Sequence, residues 1–330
     1  MSQLNYKTVL LYQFWNLFPK VIFYGTPEFA RYCLDALIVA GYPIIMVITA
    51  PDRRSGRGKK INSSAVKEYS VKKKLPLLQP VNLKDSNFIS RLKNLQPEIQ
   101  IVVAFRMLPK VVWKVPSYGT INLHASLLPN YRGAAPINWV LINGEKRTGV
   151  STFLINEKID TGAVLLQKEV SIGKEYNVGI HHDILLKLGA PLIIKTIEGV
   201  VSGSLSAISQ EISGQEKEAP KLTTENTRLD WALKIEEIQN KINGLSPNPG
   251  AWTVFKNKDE EGRMKIFKTK IVTSLPNESI NKIIVKQGEI LIVTQDGYLN
   301  CIELQLPNKK RMTASALLNG YSFDENATVL

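Results

Sequence analysis

Val21-Ile-Phe-Tyr-Gly25-Thr26-Pro27-Glu-Phe29-Ala-Arg-Tyr-Cys33-Leu34-Asp-Ala-Leu37-Ile38 is the stretch that decides the fold class. Residues 21–24 are β-branched or aromatic and read as a short strand, after which Gly25-Thr26-Pro27 turns the chain. Pro27 suits the first position of a helix with Thr26 as its cap, and Phe29, Cys33, Leu34, Leu37 and Ile38 follow at helical spacing. Residues 44–49 then read as a second buried strand. Working outward, residues 99–104, 120–124, 150–154 and 164–170 read as further strands, and 178–201 as a long helix around Leu185, Leu188, Leu192 and Ile193. This strand–helix rhythm predicts an α/β fold, an open sheet with helices on both faces. A nucleotide-dependent oxidoreductase fits poorly, because Gly25-x-x-x-x-Ala30 lacks the Gly-x-Gly-x-x-Gly that lets a backbone approach pyrophosphate.

The second part of the chain changes character. Residues 203–224 are rich in Ser, Glu and Lys with weak periodicity, which marks a linker over 204–224. After a helix near 231–243 comes the strong turn Ser246-Pro-Asn-Pro-Gly250, then short strands near 251–255, 264–272, 282–286, 290–294 and 298–304. Gln287-Gly288 and Asp296-Gly297 supply turns between the later ones. A small antiparallel barrel or sandwich over 225–330 is the expected result. At the other end, residues 1–19 are apolar and aromatic, but Gln13 and Asn16 interrupt them, Lys7 is the lone early charge, and no small-residue cleavage site follows. They read as an extension or a misassigned start rather than a signal peptide.

Composition limits the function classes. A chain of 330 residues with 44% hydrophobic residues has room for two packed domains. No apolar run reaches the ~18 residues of a membrane-spanning helix. Cys33 and Cys301 are the only cysteines, which excludes a disulfide scaffold and fits a reducing, cytoplasmic compartment. The net charge of +13 points to a polyanionic partner. That charge is concentrated. Residues 221–330 hold 15 basic and 13 acidic side chains, whereas residues 52–74 hold nine basic ones against Asp52 and Glu68 alone. A charge run is usually a solvated turn, but glycines between cations also suit wrapping against an RNA backbone.

Histidine is scarce, being limited to His124, His181 and His182, and no Cys/His/Glu spacing forms a metal cage, so a metal enzyme is disfavoured. His181 and His182 read as ordinary helix residues. Asn122 and His124 lie two apart at the end of an alternating strand and so project to one face. In open α/β sheets ligands bind at the carboxyl ends of strands. There an amide and an imidazole form a donor pair suited to a developing oxyanion, although satisfied polar groups at a capped strand end would read the same way. Asp160, in the turn Asp160-Thr-Gly162, could orient such an imidazole and steer its proton.

Together Asn122-Leu-His124-Ala-Ser126-Leu-Leu-Pro129, Arg132-Gly-Ala-Ala-Pro136 and Asp160-Thr-Gly162 resemble the folate-dependent formyltransferase superfamily. Gly25-Thr-Pro-Glu-Phe-Ala30, Pro51-Asp-Arg-Arg-Ser-Gly-Arg-Gly-Lys-Lys60, Leu78-Gln-Pro80, Ala219-Pro-Lys-Leu-Thr223, Asp230-Trp231 and Pro249-Gly-Ala-Trp252 place the resemblance in its tRNA-formylating branch. It implies a Rossmann-like formyltransferase domain over 20–203 and an OB-like C-terminal β-barrel. It also implies a monomer that moves the formyl group of 10-formyltetrahydrofolate onto the methionyl α-amine of initiator tRNA, with no metal. By the same resemblance, Asn122, His124 and Asp160 are catalytic, Asp160 orienting His124 through water. Ser126, Leu127, Leu128 and Pro129, with Phe105, Arg106 and Met107, face the folate. Arg53, Arg54, Arg57, Lys59 and Lys60 meet the tRNA acceptor end. Two segments depart from the pattern. Ala104-Phe-Arg-Met-Leu-Pro109 is shorter than the usual pterin loop and lacks its glycine, and Ser246-Pro-Asn-Pro249 lacks an aromatic. A glycinamide ribonucleotide formyltransferase would be about one domain long. A UDP-amino-sugar formyltransferase would suit Tyr131-Arg-Gly133, yet the basic loop favours tRNA. A non-catalytic RNA-binding protein would leave the Asn–His–Asp set without purpose.

Overall fold

A computed structural model describes residues 18–55 and 60–330. The first part runs β1 (Val21–Gly25), α1 (Glu28–Val39), β2 (Ile44–Ile48), β3 (Arg53–Ser55), β4 (Lys60–Asn62), α2 (Ala65–Lys72), β5 (Leu77–Leu78), α3 (Ser86–Asn94), β6 (Ile99–Val103), α4 (Lys110–Trp113) and β7 (Thr120–His124). It continues through β8 (Arg132–Gly133), α5 (Pro136–Ile142), β9 (Arg147–Leu154), β10 (Val164–Ser171), α6 (Val178–Val201) and β11 (Glu218–Ala219). Seven strands form the main sheet in the order β10-β9-β7-β6-β1-β2-β5. Its central pairs are parallel, and β9 runs antiparallel to β7.

Every residue of β1 and of β6 is buried. A strand covered on both faces needs such a continuous apolar run rather than an alternating one. Phe29, Ala30, Cys33, Leu34 and Leu37 form the buried stripe of α1. The chain leaves β1 toward β2 and β5, then returns to lay β6 and β7 on the other side of β1. Such a reversal of strand order opens a crevice at the carboxyl ends, where β1, β6 and β7 terminate. One local expectation fails. Helix α1 starts at Glu28, Pro27 takes the cap position, and no side chain caps it. Thr26 instead offers its carbonyl to the Val66 amide at 3.4 Å.

The chain divides into two compact units. The first ends at Arg132 and resumes over Gly149–Glu169 and Ile184–Lys217; the second comprises Gly133–Thr148, Val170–Asp183 and Glu218–Leu330. Residues 204–217, part of the segment with linker composition, thus group with the sheet. In the second unit, α7 (Ile235–Leu245) precedes β12 (Ala251–Asn257), β13 (Glu260–Val272), β14 (Ile283–Lys286), β15 (Glu289–Val293) and β16 (Tyr298–Gln305). β17 (Met312–Thr313), α8 (Ala314–Leu318) and β18 (Thr328–Val329) complete it. The strand order β14-β15-β16-β13-β12-β18 is antiparallel where its register is defined. Ile283 N donates to Ala327 O and Val329 N to Asn281 O, both at 2.8 Å, so β14 meets β18 and the barrel is nearly closed. Trp231, Ile238, Phe255, Met264, Ile290 and Leu304 fill its core.

His181, in the first turn of α6, is fully buried and neither ring nitrogen has a hydrogen-bond partner among the described residues. Burial pushes its pKa down to about 4. The folded state therefore binds fewer protons than the unfolded chain between about pH 6.5 and 4, and stability falls as pH falls through that window. By the usual conversion the full contribution is about 3 kcal/mol. Urea unfolding of the wild type and His181→Leu across that range checks it: the wild type should lose stability the more steeply, and parallel curves would refute the assignment.

Candidate active site

Strand β7 carries Asn122 and His124 to the carboxyl edge of the sheet. Parallel pairing sets Asn122 opposite Val102, and antiparallel pairing sets it opposite Phe153 and His124 opposite Ser151. Asn122 is half-buried, and its carboxamide has no hydrogen-bond partner among the described residues. His124 is only 6% exposed. Its Nε2 lies 2.8 Å from the Tyr131 carbonyl oxygen. A carbonyl can only accept, so Nε2 carries the proton and Nδ1 is left to exchange one. Nδ1 faces Asp160 Oδ2 at 3.7 Å, with both side chains largely withdrawn from water. That separation is an ion-pair distance and exceeds a hydrogen bond.

Asp160 reaches this place on a tight turn between β9 and β10. Its φ of 53° is left-handed, a conformation that Asp tolerates better than most residues. Asn156 Oδ1 accepts from the Lys158 amide and the Thr161 hydroxyl, both at 3.0 Å, and shapes the turn. Gly162 lets it close, since a Cβ there would sit 1.6 Å from Leu154 O. Sequence reading missed the group that holds this turn from outside. Gln210 Nε2 donates to Asp160 O at 2.9 Å and to Gly162 O at 2.7 Å. Gln210 Oε1 accepts from Arg132 Nε at 3.1 Å and from its terminal nitrogen at 2.5 Å. No local pattern marks Gln210; its segment is fixed by the reciprocal Ile208–Val164 bridge, with both bonds at 2.8 Å.

The residues that the sequence assigns to the folate fall into two groups. Ser126 and Leu128 are buried and serve the loop itself. Ser126 Oγ donates to Asn130 O at 2.7 Å, and the Leu128 amide donates to Ser151 Oγ at 3.1 Å. Gln167 Nε2 donates to Leu128 O at 2.9 Å and Ser151 Oγ donates to Ser126 O at 2.6 Å, so the loop is closed from below. Leu127 and Pro129 are half-buried, and Met107 is 65% exposed. The Phe105 ring leans on Tyr24 at 5.6 Å. Arg106 donates to the carbonyls of Val81 and Pro80, which ties the loop after β6 to the segment after β5. Ala104 enters that loop at φ 46°.

The basic stretch is a hairpin: Arg53 pairs with Asn62, Arg54 with Ile61 and Ser55 with Lys60. Arg53 is exposed, while Arg57 and Lys59 lie outside the described residues. Asp52 at its base is held below the ordinary carboxylate range by hydrogen bonds from Lys67 and Gln79.

The sheet and the near-closed barrel agree with the comparisons with known proteins. Residues 19–197 match the family model described as formyl transferase, and residues 221–322 match that of the formyl transferase C-terminal domain. The chain belongs to the formyl transferase family. The methionyl-tRNA formyltransferase of Flavobacterium johnsoniae is 50% identical to it over 310 residues, covering 94% of this chain and 98% of that one. The methionyl-tRNA formyltransferase of Bacteroides fragilis is 43% identical over 311 residues, covering 93% and 96%. Among solved structures, the N-formyltransferase from Helicobacter canadensis in complex with folinic acid and dTDP-3-aminofucose aligns with a TM-score of 0.63 at 18% identity, over 86% of this chain and 98% of that one. HypX from Aquifex aeolicus in complex with tetrahydrofolic acid aligns at 0.62 and 17% identity, over 92% of this chain and 47% of that one. At such identities the structural likeness speaks to the fold alone.

The tight turn supplies a direct check. Gly162→Ala must push the turn away from Leu154, at roughly 1–3 kcal/mol of overpacking, and carry Asp160 with it. A lowered urea midpoint together with a loss of turnover is expected; a variant matching the wild type in both would show that the turn has slack.

Proposed function

We propose that this chain transfers the formyl group of 10-formyltetrahydrofolate to the α-amine of methionine esterified to initiator tRNA. The observation that carries the reading is the His124–Asp160 pair beside an unengaged Asn122 carboxamide at the carboxyl end of β7, in a chain half identical to named methionyl-tRNA formyltransferases. The loop surfaces fit a flat heteroaromatic donor, because Leu127, Pro129, Phe105 and Met107 present apolar area at the same edge. The donor brings an N-formyl group already activated for acyl transfer.

The chain's own residues do the rest. The methionyl nitrogen forms a bond to the formyl carbon, the bond from that carbon to the folate nitrogen breaks, and one proton travels from the attacking to the leaving nitrogen. Asn122 donates to the oxygen as it gains charge, a contribution of roughly 3–4 kcal/mol by analogy with oxyanion holes. Nδ1 of His124 takes the proton and returns it, since Nε2 is held by Tyr131. Asp160 stabilises the imidazolium that exists in between. Holding both substrates in register supplies much of the remaining acceleration. Arg53, Arg54, Arg57, Lys59 and Lys60 meet the phosphates of the tRNA acceptor end.

Purified protein offered the formyl donor with either methionyl-tRNA or a nucleotide-linked amino sugar tests the assignment. Formyl-methionyl-tRNA should accumulate with the wild type, and Asn122→Ala should lower kcat by roughly 10²–10³-fold. Formylation of the sugar alone would refute the reading. A second measurement concerns the basic stretch: Arg57→Ala should weaken tRNA binding and reduce the slope of log affinity against log salt by about 1. An unchanged slope would make the basic stretch a plain solvated charge run.

A further inference from the structure

The His124–Asp160 pair does not hold itself together. At 3.7 Å, Nδ1 and Oδ2 are too far apart for the hydrogen bond that would lock both rotamers. Their separation depends on the two loops that carry them, and the Gln210 side chain joins those loops. Gln210 spends its amide protons on Asp160 O and Gly162 O, across the turn that presents the carboxylate. Its oxygen accepts two hydrogen bonds from Arg132. Arg132 directly follows Tyr131, whose carbonyl accepts the hydrogen bond from His124 Nε2. Tyr131 and Asp160 both have left-handed backbones, φ 61° and 53°. Left-handed non-glycine residues persist where the surroundings over-determine them.

The segment carrying Gln210 is itself anchored at both ends. Ile208 bridges Val164 in β10, and Lys217 accepts from the Tyr131 amide at 2.5 Å while donating its own amide to Asn130 Oδ1 at 3.1 Å. Residues 208–217 therefore form a strap from the strand beyond the Asp160 turn to the loop beyond His124, with Gln210 as its contact to the turn. We propose that Gln210 and Arg132 are positioning residues that set the distance between the imidazole and the carboxylate. A glutamine fits this place for a definite reason. Two carbonyls on one side require donors and a guanidinium on the other requires an acceptor, and only a primary amide supplies both. Glutamate would keep the Arg132 contact but turn a carboxylate oxygen toward two carbonyls.

The catalytic part of this inference rests on the formyl-transfer reading, so its test has an arm that does not. The wild type, Gln210→Ala, Gln210→Glu and Arg132→Lys are compared for thermal midpoint, kcat, KM for each substrate and the pH profile of kcat. Gln210→Ala and Gln210→Glu should each lower kcat roughly 10- to 100-fold, as an ångström-scale misplacement does, with both KM values within about threefold. A displaced pH profile should accompany the loss, and Arg132→Lys, which keeps one donor, should fall between. In parallel, the Nε2 proton resonance of His124 is followed by NMR, assigned by its absence in His124→Ala. It should move or vanish in Gln210→Ala at an unchanged thermal midpoint. An unmoved resonance would overturn the positioning role whatever the enzyme's substrate. So would a kcat and pH profile equal to wild type in an active enzyme, or a loss confined to KM. An inactive wild type whose His124 resonance moves in Gln210→Ala would instead refute the formyl-transfer reading and leave the positioning intact.

Discussion

The hydrogen bond from His124 Nε2 to the Tyr131 carbonyl is the contact on which the site depends. It selects the tautomer, because a carbonyl accepts and cannot donate, and by doing so leaves the Nδ1 lone pair facing Asp160. It also sets where Asp160 has to be. Had Nε2 been free, the imidazole could have turned, and a carboxylate on a neighbouring turn would not have a defined partner. The rest of the first unit reads as the means of delivering that one bond. A fully buried parallel core ends β1, β6 and β7 at one edge, and the chain beyond β7 doubles back within seven residues to bring Tyr131 O under the ring.

The loops around the site store backbone strain. Ala104 follows β6, Tyr131 follows β7 and Asp160 follows β9, and all three have φ between 46° and 61°. Each such residue costs on the order of 1–3 kcal/mol when it is not glycine. The packing that offsets the strain lies in the sheet, where Ile22, Phe23, Ile99 and Ile101 are wholly buried. Strain at the loop tips and close packing beneath them are complementary. The loops hold their unusual shapes because the strands do not yield, and Arg106 and Gln210 tie the loops to one another.

Much of this was legible in the residues themselves. The strands at 99–103 and 120–124 announce themselves by unbroken β-branched runs or clean alternation, and α6 spans the residues that its periodicity gave. Asn122 and His124 were visible because two-residue spacing on a strand is geometric. Three features were not legible. Thr26 reads as a helix cap because capping is local, but Val66, forty residues away, captures its carbonyl. Residues 204–217 read as a linker because their composition is polar; what places them is hydrogen bonding to Asp160, Val164 and Tyr131, which leaves no periodic trace. Gly133–Thr148 carries an apolar face that would suit either core. Its assignment to the second unit follows from contacts such as Asn138 Nδ2 to Gly244 O at 2.8 Å, which only the folded chain reveals.

The chemistry follows from what the chain has available. Its two cysteines are fully buried, Cys33 in α1 and Cys301 in β16. Burial pushes the Cys301 thiol up to about 12 and the Cys33 thiol higher still, so neither presents a thiolate near neutral pH. Ser126 and Ser151, the hydroxyls nearest His124 in the sequence and in the sheet register, are committed as donors to Asn130 O and Ser126 O. A relay through a covalent enzyme intermediate therefore has no ready nucleophile among these groups. An amine acceptor needs none, since it is itself the nucleophile once a proton can leave it. An imidazole with one nitrogen fixed, a carboxylate at ion-pair distance and a free amide donor are what direct transfer between two bound nitrogens requires. In the proposed mechanism the site holds and moves one proton, and the loops that carry His124 and Asp160 set the geometry for that transfer.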